Sequence, residues 1–81
     1  MKALVHVTVK PDVLDPQGRA ILRGCTSLGY AGVRDVRQGK LFEIEVDAPD
    51  RAAAERLLLE LAGKLLANPV VEDYRVVSIE D

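Results

Sequence analysis

From Lys2 to Lys10 apolar and polar positions alternate strictly, with Ala3, Val5, Val7 and Val9 on one parity and Leu4, His6, Thr8 and Lys10 on the other. A period of two predicts a strand with one face buried. Pro11 cannot donate to a ladder, so the strand is expected to end near Lys10. Asp15-Pro16 then marks a helix start: the Asp15 carboxylate caps it, and proline takes the first helical position, where its missing N–H costs nothing. Ile21, Cys25 and Leu28 recur at helical spacing, joined by Ala20 and Gly24. Gly29 supplies the left-handed residue that closes the helix near Leu28.

After Tyr30-Ala31-Gly32, the run Val33 to Val46 has strand character, with Val36, Phe42, Ile44 and Val46 sharing one parity. Gln38-Gly39 interrupts it and reads as a two-residue hairpin turn, or else as a bend in one long strand. Asp50 caps a second helix, Arg51 to Leu66, on which Ala54, Leu57, Leu58, Leu61 and Leu65 form one stripe that faces the sheet. Leu59, Ala62 and Leu66 widen that stripe, either for a deep core or for a second subunit. Asn68-Pro69 ends the helix. Val70 to Ile79 is the last strand, and its apolar residues of both parities predict cover on both faces. The order is strand-helix-strand-strand-helix-strand. It predicts a small α+β two-layer sandwich, with two helices on one face of an antiparallel sheet.

Composition narrows the picture. Eighty-one residues, 48% of them hydrophobic, make one domain, residues 1–81, too apolar to be disordered. A chain this short buries only about 60% of its extended surface, so self-association as a dimer or tetramer is expected. Eleven basic and 13 acidic residues are mixed along the chain, for a net charge of −2. No like-charge run suits nucleic acid or an anionic membrane surface. His6 and Thr8 break the first apolar run, and no run is long enough to span a bilayer, which together predict a cytoplasmic protein. The lone Cys25 excludes an internal disulfide and fits a reducing compartment.

Candidate chemistry is sparse. His6 and Cys25 are the only imidazole and thiol, and each reads as structural because neither has a partner for nucleophilic catalysis. The acids sit in caps and on surfaces, so no metal site is readable, and the glycines fit no phosphate loop. Glu43 and Glu45 share a strand face and read as a solvated one. The element order alone admits a ferredoxin-like RNA-binding or small-ligand-sensing module, with Phe42 on the third strand. Such sheets stack bases on exposed aromatics, and this chain has only Phe42, Tyr30 and Tyr74. The wide leucine stripe instead favours a subunit that pairs with itself and docks on larger proteins.

Three stretches occur together and in order: Asp15-Pro16-Gln17-Gly18, Val36-Arg37-Gln38-Gly39-Lys40, and Leu65-Leu66-Ala67-Asn68-Pro69-Val70-Val71-Glu72-Asp73-Tyr74. With them the chain resembles, over nearly its whole length, the PurS family of small subunits of phosphoribosylformylglycinamidine synthase. The resemblance implies a non-catalytic partner in purine synthesis. In that step ATP activates the amide oxygen of formylglycinamide ribonucleotide, and nitrogen from glutamine replaces it. It also implies PurL and PurQ as partners, a PurS pair joining them, and ATP with Mg2+ held by the large subunit rather than by this chain. Gln17, Gly18, Arg37, Lys40 and Asn68 lie in the matching stretches with side chains that are polar or absent. They are expected to contact the large subunit rather than serve the fold. The competing reading gives Gly18 to helix packing, Gly39 to the turn and Asn68 to the helix end.

Overall fold

A computed structural model describes all 81 residues. The first strand, β1, runs Lys2–Val9, and helix α1 follows at Pro16–Ser27. Asp15 caps α1 by accepting the Gly18 N–H at 3.0 Å, with proline in the first turn. At the other end Gly29 takes φ +90°, the Tyr30 N–H reaches the Cys25 carbonyl and the Gly29 N–H reaches that of Thr26. These two bonds form a Schellman closure, which needs a left-handed residue at that position.

Strand β2 covers only Gly39–Glu45. Neither the expected hairpin nor the long bent strand forms, because Val33 to Gln38 has no regular structure. The reason lies in its partner. β1 and β2 are antiparallel with Thr8 opposite Gly39, and β1 ends one residue later, ahead of Pro11, so nothing remains for Val33–Gln38 to pair with. Carboxylates take its amides instead: Val36 N–H donates to Asp35 and Gln38 N–H to Asp15.

Helix α2, Arg51–Leu61, is capped by Asp50, whose carboxylate accepts the Ala53 N–H at 2.8 Å. It continues through one wide π-type turn, Ala62–Leu66, closed by the Ala67 N–H on the Ala62 carbonyl. Strand β3, Glu72–Glu80, completes a three-stranded antiparallel sheet in the order β2-β1-β3. The fold class is α+β with three strands rather than four.

The core lies between the sheet and α2: Ala3, Val5, Val46, Ala54, Leu58, Ala62 and Ile79, with Phe42, Ile44, Leu66, Tyr74 and Val76 packed around them. The mixed parity of β3 does not mean two covered faces. Val5 pairs with Val76 and Leu4 with Ser78, leaving Val77 as the extra residue of a β-bulge. The bulge shifts the phase of the strand, so Tyr74 and Val76 before it and Ile79 after it all face α2, while Val77 is half exposed. The buried edge of α2 is also narrower than its leucine stripe. Ala54, Leu58 and Ala62 are fully buried, whereas Leu57 is 44% and Leu65 74% exposed. Tyr74 lies so close to α2 that a Cβ on Gly63 would come within 2.7 Å of its hydroxyl.

The second helix of the expected layer is missing from it. α1 makes no extensive contact with the sheet or with α2, its Ile21 and Leu28 are 47% and 76% exposed, and its only buried residue is Gly18. The molecule is accordingly long, 50 × 27 × 14 Å. No helix is long and apolar enough to cross a membrane.

Candidate functional site

Pro11 forces the chain out of the sheet after β1, and Asp15 starts α1 beside the place where Gln38 enters β2. The turn from strand to helix and the start of the next strand therefore meet at one end of the sheet. Asp15 is buried there. Its two carboxylate oxygens are divided: Oδ1 accepts the Gly18 N–H at 3.0 Å, and Oδ2 accepts the Gln38 N–H at 2.7 Å. These hydrogen bonds, the Gln38 one first and the Gly18 one second, hold the Asp15 carboxyl below the ordinary value of 3.8, and the Arg37 guanidinium adds to them while burial works the other way.

Arg37 ties the same two stretches from the other side. Its Nη2 donates to the carbonyls of Val9 at 3.2 Å, Lys10 at 2.9 Å and Val13 at 3.3 Å. These carbonyls lie at and just beyond the end of β1, and the two N–H groups of Nη2 are shared among the three of them. Arg37 therefore has a role within this chain, which the expectation of a contact with the large subunit did not include. Gly18 likewise has a role within this chain, the helix packing of the competing reading. Its N–H is taken by Asp15, and a Cβ at this position would lie 2.3 Å from the Val36 carbonyl oxygen, so close packing of the helix start on Val36 explains the glycine.

Asn68 serves the turn into β3. Its side chain accepts the Val70 N–H at 3.1 Å, its carbonyl accepts the N–H groups of Val71 and Glu72, and its own N–H donates to Glu72 Oε1 at 2.7 Å. Gln38-Gly39 is no turn. Gly39 is the first residue of β2, where a Cβ would come within 2.7 Å of the Val7 carbonyl oxygen. Gln17 and Lys40 remain exposed, Lys40 with only a long 3.9 Å ion pair to Glu72 across the central strand.

Four of the five expected residues, Gln17, Gly18, Arg37 and Lys40, are thus brought to one end of the sheet, and Asn68 joins them through Glu72. A small cleft of about 180 Å³ lies among them, lined by Val7, Val9, Asp15, Gln17, Lys40 and Glu72. Sequence reasoning had Asp15 as a cap only, and it had no role for Glu72, which connects Lys40 with the Asn68 turn. Its one signal in the sequence is an acid at a strand start, between Val71 and Asp73.

The rest of the surface offers little chemistry. His6 stands on the open sheet face opposite Leu41 and Arg75, and Cys25 is a half-buried thiol on α1. No group of three or more His, Cys, Asp or Glu residues is placed to hold a metal ion. The open face, where bases would stack in the RNA-binding reading, carries Leu4, His6, Thr8, Leu41, Glu43 and Arg75. Phe42 and Tyr74 both pack on the α2 side, so that face has no aromatic platform.

Residues 2–80 match the family model described as PurS, phosphoribosylformylglycinamidine (FGAM) synthase. The chain is 47% identical over 70 residues to the phosphoribosylformylglycinamidine synthase subunit PurS of Synechocystis, covering 86% of this chain and 70% of that one. Its fold superposes on Bacillus subtilis PurS with a TM-score of 0.85 at 44% identity, over 99% of this chain and 98% of that one. It superposes on a chain of the PurLQS structure from Thermotoga maritima with a TM-score of 0.84 at 30% identity, over 98% and 99%. The chain belongs to the PurS family.

Proposed function

We propose that this PurS-family chain is the small subunit of phosphoribosylformylglycinamidine synthase in purine biosynthesis, joining a PurL synthetase to a PurQ glutaminase. The observation that carries this reading is the match, over 98% of the chain, to a chain of a structure in which PurL, PurQ and PurS are assembled. It fits a fold in which Asp15, Arg37 and Asn68 are engaged with backbone groups of the chain itself and exposed apolar side chains are numerous.

In this reading the chain supports the reaction without supplying a catalytic group. ATP, Mg2+ and the nucleotide belong to PurL, glutamine hydrolysis belongs to PurQ, and the complex works in the cytoplasm. His6 and Cys25 have no hydrogen-bonding partner that would make either a base or a nucleophile. Gln17 and Lys40, exposed at the cleft and free of a strong internal role, are the two residues assigned to the contact with the large subunit.

Co-purification with PurL and PurQ, with and without ATP and glutamine, tests the assembly. A stable complex that requires this chain is the expected result, and failure to retain either partner under both conditions refutes it. In the reconstituted complex, His6→Gln and Cys25→Ser are expected to keep turnover within a few-fold. A fall exceeding about a hundredfold with assembly intact would show a catalytic role.

A further inference from the structure

The apolar core of this chain is built from β1, β2, β3 and α2 alone. Between Lys10 and Gln38 only Asp15 and Gly18 are buried, and no residue of that stretch belongs to the core. What holds the stretch in place is polar. Asp15 Oδ2 accepts the Gln38 N–H at 2.7 Å, and Arg37 Nη2 donates to the Val9 and Lys10 carbonyls at the end of β1. Gly18 lets the helix start close against Val36, a contact within the stretch itself. Segments with few buried apolar contacts open locally at lower free energy than the core they hang from.

We propose that residues 11–37 form an arm that opens as a unit while the sheet and α2 stay folded, and that Asp15 and Arg37 are the catch that holds it shut. The catch is made of parts that fail together. The Asp15 carboxylate can serve Gly18 and Gln38 at once only while both of its oxygens accept, and Arg37 reaches its carbonyls only while residues 9–13 hold their turn. Closed, the arm presents α1 in one fixed orientation. Open, α1 loses its direction relative to the sheet, and a helix of 12 residues without packing does not keep its own amides protected. Asp15 and Arg37 are on this account positioning residues for whatever surface α1 contributes.

Amide hydrogen exchange followed by segment in the intact chain tests this. In the parent, α1 amides are expected to exchange faster than those of α2 and the central strand. Asp15→Asn retains an acceptor for one partner but turns an N–H₂ toward the other, and Arg37→Lys keeps the charge without the fork. Each variant should accelerate exchange in α1 by roughly ten- to a hundredfold, the range for losing a charge-assisted hydrogen bond, with rates in β1 and α2 unchanged. Equal protection of α1 and the central strand in the parent would overturn the proposal. So would a variant whose exchange rises everywhere alike, or one whose α1 does not accelerate. Should neither variant fold, the comparison of segments in the parent decides by itself.

Discussion

Asp15 and Gln38, 23 positions apart, are joined by a 2.7 Å hydrogen bond from the Gln38 N–H to the second oxygen of a carboxylate already capping α1. The same side chain that starts the helix therefore fixes where β2 begins. Around this bond stand Arg37, Arg19, Asp35 and Asp12 on one side and Lys40 and Glu72 on the other.

The contact is sensitive to acid. The folded Asp15 carboxyl titrates below its ordinary value of 3.8, so the unfolded chain takes up the proton first as pH falls. The stabilisation is then complete above that ordinary value and is lost progressively as pH drops through the lower folded one. Carboxylate titration followed by NMR should place Asp15 below its ordinary value of 3.8, and its midpoint should move up on Arg37→Ala. A midpoint at the ordinary value would contradict the hydrogen bonding described.

Gly18→Ala should destabilise the protein by about 1–3 kcal/mol, because the new methyl meets the Val36 carbonyl and the Asp15 carboxylate, neither of which is a flexible chain end. Gly24→Ala, in open space on the same helix, should be neutral or slightly stabilising through helix propensity. Denaturant unfolding of the two variants side by side checks the contrast, and equal midpoints would be inconsistent with it.

Arg37 and Lys40 should behave differently although both are exposed cations. Arg37→Ala removes donors from three carbonyls and should cost about 1 kcal/mol of stability. Lys40→Ala removes only a long surface ion pair and should change stability by less than about 0.5 kcal/mol. At the interface the order is expected to reverse in kind. Lys40→Ala should weaken binding to the large subunit with its melting temperature unchanged, as calorimetry and a titration with PurL would show.

On α2, Leu58→Ala should cost about 2–5 kcal/mol, since the side chain is fully buried and its loss leaves a cavity against the sheet. Leu65→Ala, at a position 74% exposed, should cost less than about 0.5 kcal/mol in the monomer. A larger loss at Leu65 that grows with protein concentration would place it in a contact between copies.

Self-association is expected at micromolar concentration. Ile21, Leu28, Leu57, Leu65 and Val77 are exposed on a small chain, and the outer edges of β2 and β3 have no neighbour in the sheet. Light scattering should return a multiple of the 8.8 kDa chain mass, and the mass of a single chain would count against it.

The sequence by itself determined what depends on residues within about four positions of one another. The alternation of β1, the caps Asp15 and Asp50, the proline at the start of α1 and the left-handed Gly29 all formed as their local chemistry dictates. Two of the three stretches that resemble PurS were legible for the same reason, since they are a helix start and a helix end, while the third, Val36 to Lys40, is the entry to β2. Tertiary structure decided the rest. Val33–Gln38 has the composition of a strand, but pairing needs a partner, and β1 had already ended. The two parities of β3 were resolved by a bulge opposite Leu4 and Val5, which no periodicity in one strand can reveal. The leucine stripe of α2 allowed several rotations, and the fit of Ala54, Leu58 and Ala62 against the sheet selected one. Arg37 looked free because its acceptors lie 24 to 28 positions away and are backbone carbonyls, which every residue has and no sequence pattern marks.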